Sequence, residues 1–120
     1  MFWTNIEYFN EKEFACPCCG RVEMNDNFIY KLDAIRELAD VVMIINSGFR
    51  CYRHNLAVGG KPTSAHRYGY AVDIKTFTSR GRFQLINAAL LRGIPRIGVA
   101  KDFIHLDVDP NKPGSLIWTY

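Results

Sequence analysis

The sequence predicts a single α+β domain, residues 1–120, in which a small, mostly antiparallel sheet is flanked by helices. Two segments with apolar residues at helical spacing are interleaved with several short apolar segments of strand character. A chain of 120 residues is long enough for one compact core and too short for two ordinary domains. Because 48% of the residues are hydrophobic and 22% are charged, we expect the chain to fold by itself rather than remain disordered.

The first half of the chain is predicted to contain an irregular arm, one helix and one strand. Asn10 and Glu11 are turn or cap residues within the arm, and residues 25–27 (Asn-Asp-Asn) offer N-caps to the helix. The apolar residues of this helix recur at helical spacing: Phe28, Ile29, Leu32, Ile35, Leu38 and Ala39. Residues 41–45 are apolar and mostly β-branched, which is typical of a strand buried on both faces.

The second half begins with residues 53–69, which are rich in glycine and predict a long irregular loop. In a small domain such a loop usually carries function. Residues 70–74 are predicted to form a strand, and Ser79 is predicted to cap a second helix that runs to about Arg92 before Gly93. Apolar alternation predicts three more strands, at residues 96–99, 103–108 and 116–120.

Charge and hydropathy exclude two classes of function. The 15 Lys and Arg residues exceed the 12 Asp and Glu residues by only three and form no stripe, which argues against a nucleic-acid-binding protein. Residues 1–7 lack the pattern of a signal peptide, and no stretch approaches the roughly 20 apolar residues of a membrane span. We therefore expect no membrane association and a soluble chain made in the cytoplasm, which needs a separate route to any substrate outside the membrane.

The cysteines allow several interpretations. Cys16, Cys18, Cys19 and Cys51 occur without a secretory signal, so disulfides are not the first expectation. A C-x-C-C pattern is tighter than the C-x₂₋₄-C spacing of known zinc knuckles, which makes buried free thiols the favoured interpretation over a second metal site.

Two histidines and an aspartate form a candidate metal site. Catalytic zinc typically takes three protein ligands from His and carboxylate side chains and keeps one position open for water. His66, Asp73 and His105 supply this number, and Asp73 and His105 each interrupt an apolar strand, where a polar group is costly unless it is paired or bound to a metal. The alternative is that Asp73 pairs with an arginine and the histidines are ordinary hydrogen-bonded side chains.

The pattern S-x-H-x-x-G-x-A-x-D at residues 64–73, followed by D-x-x-H at residues 102–105, resembles the signature of the zinc D-Ala-D-Ala carboxypeptidases and dipeptidases. The same family includes phage endolysins that cut the L-Ala-D-Glu bond, and its fold is shared with the hedgehog signalling domain. The resemblance extends through Ser47-Gly48-Phe49-Arg50 and the terminal Trp118-Thr119-Tyr120, and so covers roughly residues 14–120.

The resemblance implies roles for individual residues. His66, Asp73 and His105 would bind Zn²⁺, and Asp102, three residues before the last histidine, would be the catalytic base. Because residues three apart lie on opposite faces of a strand, Asp102 must sit at a bent start of the strand to reach the same ion. Asp107 and Asp109 are the alternative acids, with Asp107 placed to orient a ligand.

Two further residues are predicted to meet the substrate. Arg50 would stabilise the carbonyl oxygen as it gains charge, or would bind a substrate carboxylate in a bidentate manner. Ser64 would either hydrogen-bond the substrate or hold the loop, and the sequence leaves both roles open.

The expected function is that of a monomeric zinc peptidase, encoded by a phage or prophage, that acts on the peptide of bacterial peptidoglycan. It would be either a D,D-carboxypeptidase or an L-Ala-D-Glu endopeptidase that reaches the cell wall after release or delivery. The alternative from a different class is a catalytically silent zinc-binding module that holds a wall peptide or a protein partner.

Overall fold

The computed structural model describes residues 1–120. The helices are α1 (Asp26–Ala39), α2 (Tyr52–Ala57) and α3 (Ser79–Leu91). The strands are β1 (Ile45–Ser47), β2 (Ala71–Lys75), β3 (Arg96–Val99), β4 (Phe103–Asp107) and β5 (Leu116–Thr119). Three short 3₁₀ helices lie at Phe2–Asn5, Glu11–Phe14 and Ala65–Tyr68. None of the helices has the length and apolar character that crossing a bilayer demands.

The five strands form one mixed sheet in the order β1-β2-β4-β3-β5. The pairs β1–β2, β2–β4 and β3–β4 are antiparallel, whereas β3 and β5 run parallel. The predicted α+β class is therefore confirmed, with a sheet that is mixed rather than purely antiparallel. The likeness to the hedgehog fold stays a prediction.

The two faces of the sheet have different surroundings. Ile104 and Leu106 of β4 are buried in a core that also includes residues of α1 and α3, which pack against each other. Successive side chains of a strand alternate between faces, so Phe103, His105 and Asp107 point to the opposite side. These three residues line an open cleft. The sheet thus separates the hydrophobic core from the cleft.

The helix caps follow the sequence closely, with one correction. The Asn25 side chain accepts a hydrogen bond from the Phe28 amide at 2.9 Å and begins α1 as predicted. The cap of α3 is Thr78 rather than Ser79, because the Thr78 hydroxyl accepts from the Gly81 amide at 2.9 Å. Both caps satisfy amide groups that have no partner within the helix.

Two predicted elements were wrong. The strand predicted at residues 41–45 begins only at Ile45, and the side chains of Val42 and Ile44 are 74% and 51% exposed. The β-branched run is therefore not buried on both faces. It precedes a short edge strand, which pairs on one side only.

The predicted loop at residues 53–69 contains most of α2 and a 3₁₀ helix. Helix α2 is too short to display helical periodicity. It is fixed by the buried side chain of Asn55, whose amide donates to the Lys61 carbonyl at 2.8 Å.

Candidate metal centre

Three side chains that the sequence singled out come together on the cleft face of the sheet. His66 lies in the 3₁₀ helix Ala65–Tyr68, Asp73 lies in β2, and His105 lies in β4. Asp73 and His105 are directly opposite each other in the antiparallel pair of β2 and β4. One ligand atom from each of the three residues lies within 4.8 Å of the other two. Their close approach is thus a consequence of strand register and one tight turn.

The turn between His66 and Asp73 depends on Gly69. Its φ of +75° lies in the left-handed region, and a Cβ at this position would stand 2.1 Å from the Glu23 carbonyl oxygen. Only glycine satisfies both constraints without a shift of the backbone. Ser64 begins the 3₁₀ helix, and its hydroxyl accepts a hydrogen bond from the His66 amide at 3.3 Å.

The buried His66 ring is oriented by the main chain. Its Nδ1 lies 2.8 Å from the Gly48 carbonyl oxygen, which can only accept, so Nδ1 carries the proton. The other nitrogen, Nε2, is therefore an acceptor, and it lies 3.4 Å from Oδ1 of Asp73. His66 presents a lone pair to the position between the three side chains.

The His105 ring lies between two carboxylates. Its Nδ1 is 2.9 Å from Oδ1 of Asp73, and its Nε2 is 2.6 Å from Oδ2 of Asp107. Asp107 also accepts from Arg96 Nε at 2.9 Å and from the Asp109 amide at 3.1 Å. A carboxylate that holds the far nitrogen of a histidine in this way fixes the orientation of the ring and raises its basicity as a ligand.

Burial and the neighbouring charges shift the pKa values of the centre in opposite directions. Burial lowers the pKa of His66, with only partial compensation from Asp73. Burial also disfavours the charged form of His105, but the carboxylates of Asp107 and Asp73 outweigh it and raise the pKa of this histidine. Burial would raise the pKa of Asp73, yet hydrogen bonds from His105 and His66 hold it well below its usual range. Asp73 is therefore ionised and ready to bind a cation.

The donor set fits a zinc ion. Two imidazoles and one carboxylate are ligands that zinc prefers in catalytic sites. The far nitrogens of both rings are held by an oxygen acceptor, Gly48 carbonyl for His66 and Asp107 for His105, as is usual for metal-bound histidines. The cleft leaves space for further groups beside these three ligands.

That cleft has a volume of about 510 Å³. Five of the predicted site residues line it: Arg50, Ser64, His66, Asp73 and His105. Arg50 lies beside the centre, with its NH2 group 3.4 Å from Oδ2 of Asp73 and its Nε 3.0 Å from the Ser47 hydroxyl. The arginine partner that the sequence left open for Asp73 is thus present together with the two histidines.

Asp102, the predicted base, does not line the cleft. It is exposed in a bend immediately before β4, and its carbonyl oxygen accepts from the Thr76 amide at 2.9 Å. Its carboxylate makes no hydrogen bond or ion pair within the chain. The bend that the sequence required at this point is therefore present, while the role of Asp102 as a base stays a prediction.

Sequence reasoning missed the aromatic wall of the cleft. Trp118 and Tyr120 line it, and the Trp118 ring lies 5.5 Å from the His105 ring. Gly98 makes room for this wall, because a Cβ there would stand 2.7 Å from Nε1 of Trp118. The available signal was two aromatic residues two positions apart in a strand, which share a face.

Comparison with known proteins identifies the family of the chain. No curated protein matched the chain. The family model described as Peptidase M15 matches residues 7–107, which is well over half of the chain and includes all three candidate ligands. The resemblance to the zinc D-Ala-D-Ala carboxypeptidases is thereby confirmed, and the chain belongs to the peptidase M15 family.

Proposed function

We propose that this protein is a zinc-dependent peptidase that hydrolyses peptide bonds in the stem peptides of bacterial peptidoglycan. The observation that carries the proposal is the convergence of His66, Asp73 and His105 in an open cleft of a peptidase M15 chain. The bond cut is the terminal D-Ala-D-Ala bond or the L-Ala-D-Glu bond. A phage or prophage enzyme that reaches the wall after release fits this activity.

His66 Nε2, a carboxylate oxygen of Asp73 and His105 Nδ1 would hold the zinc ion. These are the atoms that face one another, since His66 Nδ1 and His105 Nε2 are engaged by Gly48 and Asp107. When bound, zinc supplies a Lewis acid that activates water and polarises a carbonyl group. The hydrogen bonds behind the two rings keep both ligands oriented before any ion arrives.

Arg50 is proposed to bind an oxygen of the substrate. Its guanidinium already donates a hydrogen bond to the Asp73 carboxylate, so Arg50 lies directly beside a candidate zinc ligand. A guanidinium can receive a carbonyl oxygen that gains negative charge, or a peptide carboxylate through two parallel hydrogen bonds. Lys61 adds a second cation to the wall of the cleft. Both cations suit a stem peptide, which carries free carboxylates.

Asp102 is proposed as the catalytic base. Its carboxylate would take a proton from the attacking water and return it to the nitrogen of the leaving amine as the C–N bond breaks. No other group of the chain holds this carboxylate, which lies in the bend at residues 101–102 immediately before the ligand strand β4. As the base, it would turn toward the cleft when substrate binds. Asp107 is less suited to the role, because both of its oxygens are engaged by His105, Arg96 and the Asp109 amide.

Digestion of purified peptidoglycan with the zinc-loaded protein tests the proposal. Mass spectrometry should detect either released D-Ala or new amino-terminal D-Glu peptides, which separates the two cleavage types. An absence of any product from zinc-loaded protein would contradict the peptidase function on this polymer.

The Asp102→Asn variant separates the enzyme from a silent binding module. The enzyme should lose product formation while keeping its zinc, with Asp26→Asn at the exposed start of α1 as the matched control. If Asp102→Asn and wild type bind wall peptides equally and neither releases product, the binding module is correct.

A further inference from the structure

A second group of possible metal ligands lies outside the cleft. Cys16, Cys18 and Cys19 follow the 3₁₀ helix Glu11–Phe14, and Cys51 stands at the N-terminus of α2. The sulfur atoms of Cys16, Cys19 and Cys51 all lie within 4.8 Å of one another. Only Cys16 is buried, while Cys18 and Cys19 are exposed, so the expectation of buried free thiols was wrong for these two. We refer to these four residues as the cysteine cluster.

The distances between the sulfur atoms suit a tetrahedral metal site. Zinc–thiolate bonds of about 2.3 Å at tetrahedral angles place two sulfur atoms about 3.8 Å apart. The Cys16 and Cys51 sulfur atoms are 3.6 Å apart. This separation is far longer than the bond of about 2.05 Å in a disulfide. A disulfide between two of the thiols would also leave the third, which lies within 4.8 Å of both, without a partner.

The backbone around the first cysteines forms a tight turn. The Gly20 amide donates to the Cys16 carbonyl at 2.8 Å, and the Cys16 amide donates to the Arg21 carbonyl at 2.8 Å. Gly20 has a φ of +75°, which glycine adopts without strain. The turn brings Cys16 and Cys19 together, and their spacing is C-x₂-C. This pair has the C-x₂-C spacing of a zinc knuckle, whereas the C-x-C-C run as a whole is tighter.

The remaining ligand position falls to Cys18, the fourth cysteine of the cluster, which lies on the same turn beside Cys19. Its sulfur is not one of the three that lie within 4.8 Å of one another, so it would turn toward them when an ion binds. The Cys51 sulfur also accepts a hydrogen bond from the His54 amide at 3.4 Å, a contact that orients this sulfur at the start of α2.

We propose that the cysteine cluster is a structural zinc site in which Cys16, Cys19 and Cys51 are ligands and Cys18 is the fourth. Four protein ligands leave no open position, so the site contributes stability and no catalysis. This inference goes beyond the proposed peptidase function and does not depend on it.

The site would secure the segment that supports the candidate metal centre. Cys16 follows Phe14 closely in the chain, and the Phe14 carbonyl accepts the Phe49 amide at 2.9 Å. Gly48 packs directly on Phe14 and accepts the His66 ring hydrogen bond through its carbonyl. Zinc in the cysteine cluster would therefore hold residues 48–50, and with them the support of His66 and Arg50, against the amino-terminal turn.

Metal analysis of three proteins, purified under reducing conditions with zinc, tests the site. Wild type should contain about two zinc ions per chain, whereas His66→Ala and Cys51→Ser should each contain about one. Cobalt substitution identifies the ligands: the cobalt-loaded His66→Ala protein should show a thiolate-to-cobalt charge-transfer band, and Cys51→Ser should lack it. The zinc content and the charge-transfer band of His66→Ala are measured independently of Cys51→Ser, so the test remains valid even if Cys51→Ser does not fold.

Three results would overturn the proposal. A His66→Ala protein without zinc, or with cobalt but no charge-transfer band, would show that the thiols bind no metal. A Cys16–Cys51 disulfide in the freshly purified protein, detected by mass spectrometry after alkylation, would show that these two cysteines form a disulfide instead of binding a metal. A charge-transfer band of unchanged intensity in the cobalt-loaded Cys18→Ser protein would exclude Cys18 as the fourth ligand. Loss of peptidase activity alone does not bear on the cysteine cluster.

Discussion

The candidate metal centre and the cysteine cluster differ in how the protein holds their ligands. In the centre, Asp73 and His105 face each other across two strands of the sheet, and each histidine has a hydrogen-bond partner behind it. In the cluster, Cys16, Cys18 and Cys19 lie on one turn, and the Cys16 sulfur lies 3.6 Å from that of Cys51. The sheet and the core determine the first arrangement. In the cysteine cluster, few contacts hold the thiols together before a metal binds. Metal binding there should therefore affect the stability of the protein more than its chemistry.

The largest difference between the two regions should appear when one ligand is removed from each. His66→Ala is expected to reduce peptidase activity to the detection limit, because zinc cannot be held by the two remaining ligands in a working geometry, while the melting temperature falls only slightly. Cys51→Ser should lower the melting temperature more and retain some activity. Thermal denaturation and product analysis of both variants check this. Equal losses in both assays would contradict the division of roles.

Gly48 connects the two regions, and its replacement should damage both. A Cβ at this position would stand 2.7 Å from the Phe14 Cα, where the backbone cannot move aside easily. Gly48→Ala should therefore destabilise the protein by about 1–3 kcal/mol through overpacking, and it should weaken zinc binding at His66. Gly114→Ala is the matched control, since its methyl group would meet only the Pro95 Cβ at 3.2 Å. Urea denaturation with and without zinc measures both effects.

Asp107→Asn tests the support behind a ligand rather than the ligand itself. The amide cannot hold the His105 proton as a carboxylate does, so zinc affinity or activity should fall about 10- to 100-fold. Asp26→Asn at the exposed start of α1 should leave both unchanged. Zinc titration against a competing chelator gives the affinity. A loss as complete as that of His66→Ala would mean that Asp107 binds the metal directly.

The pH dependence of zinc affinity should be the smallest effect. Zinc must displace the proton on His105 Nδ1, and the pKa of this histidine lies above its ordinary value of 6.5, because Asp107 and Asp73 outweigh its burial. Affinity of the centre should therefore begin to weaken above pH 6.5 and fall further as the pH decreases. In a Cys51→Ser background, calorimetry across about pH 5 to 8 should show this decline. Asp107→Asn should move it to lower pH.

Local pattern was enough for the elements with a strong period or a clear cap. Helix α1 was placed by its apolar spacing and by Asn25, and β3 was placed at residues 96–99 as observed. Prediction from local pattern failed where contacts between distant segments determine the structure. Residues 41–45 have strand composition, but an edge position leaves Val42 and Ile44 exposed, and the six-residue α2 shows no period that could be recognised.

The sequence by itself determined the family, through the motifs at residues 64–73 and 102–105. It also indicated the candidate ligands, because polar residues that interrupt apolar strands at Asp73 and His105 are costly without a partner. Only the tertiary structure decided which nitrogen of each ring faces the centre, that Trp118 and Tyr120 wall the cleft, and that Cys51 meets the cysteines of a turn far away in the chain. Each of these depends on contacts between segments distant in sequence. Such contacts are fixed by strand register and packing, which no local pattern encodes.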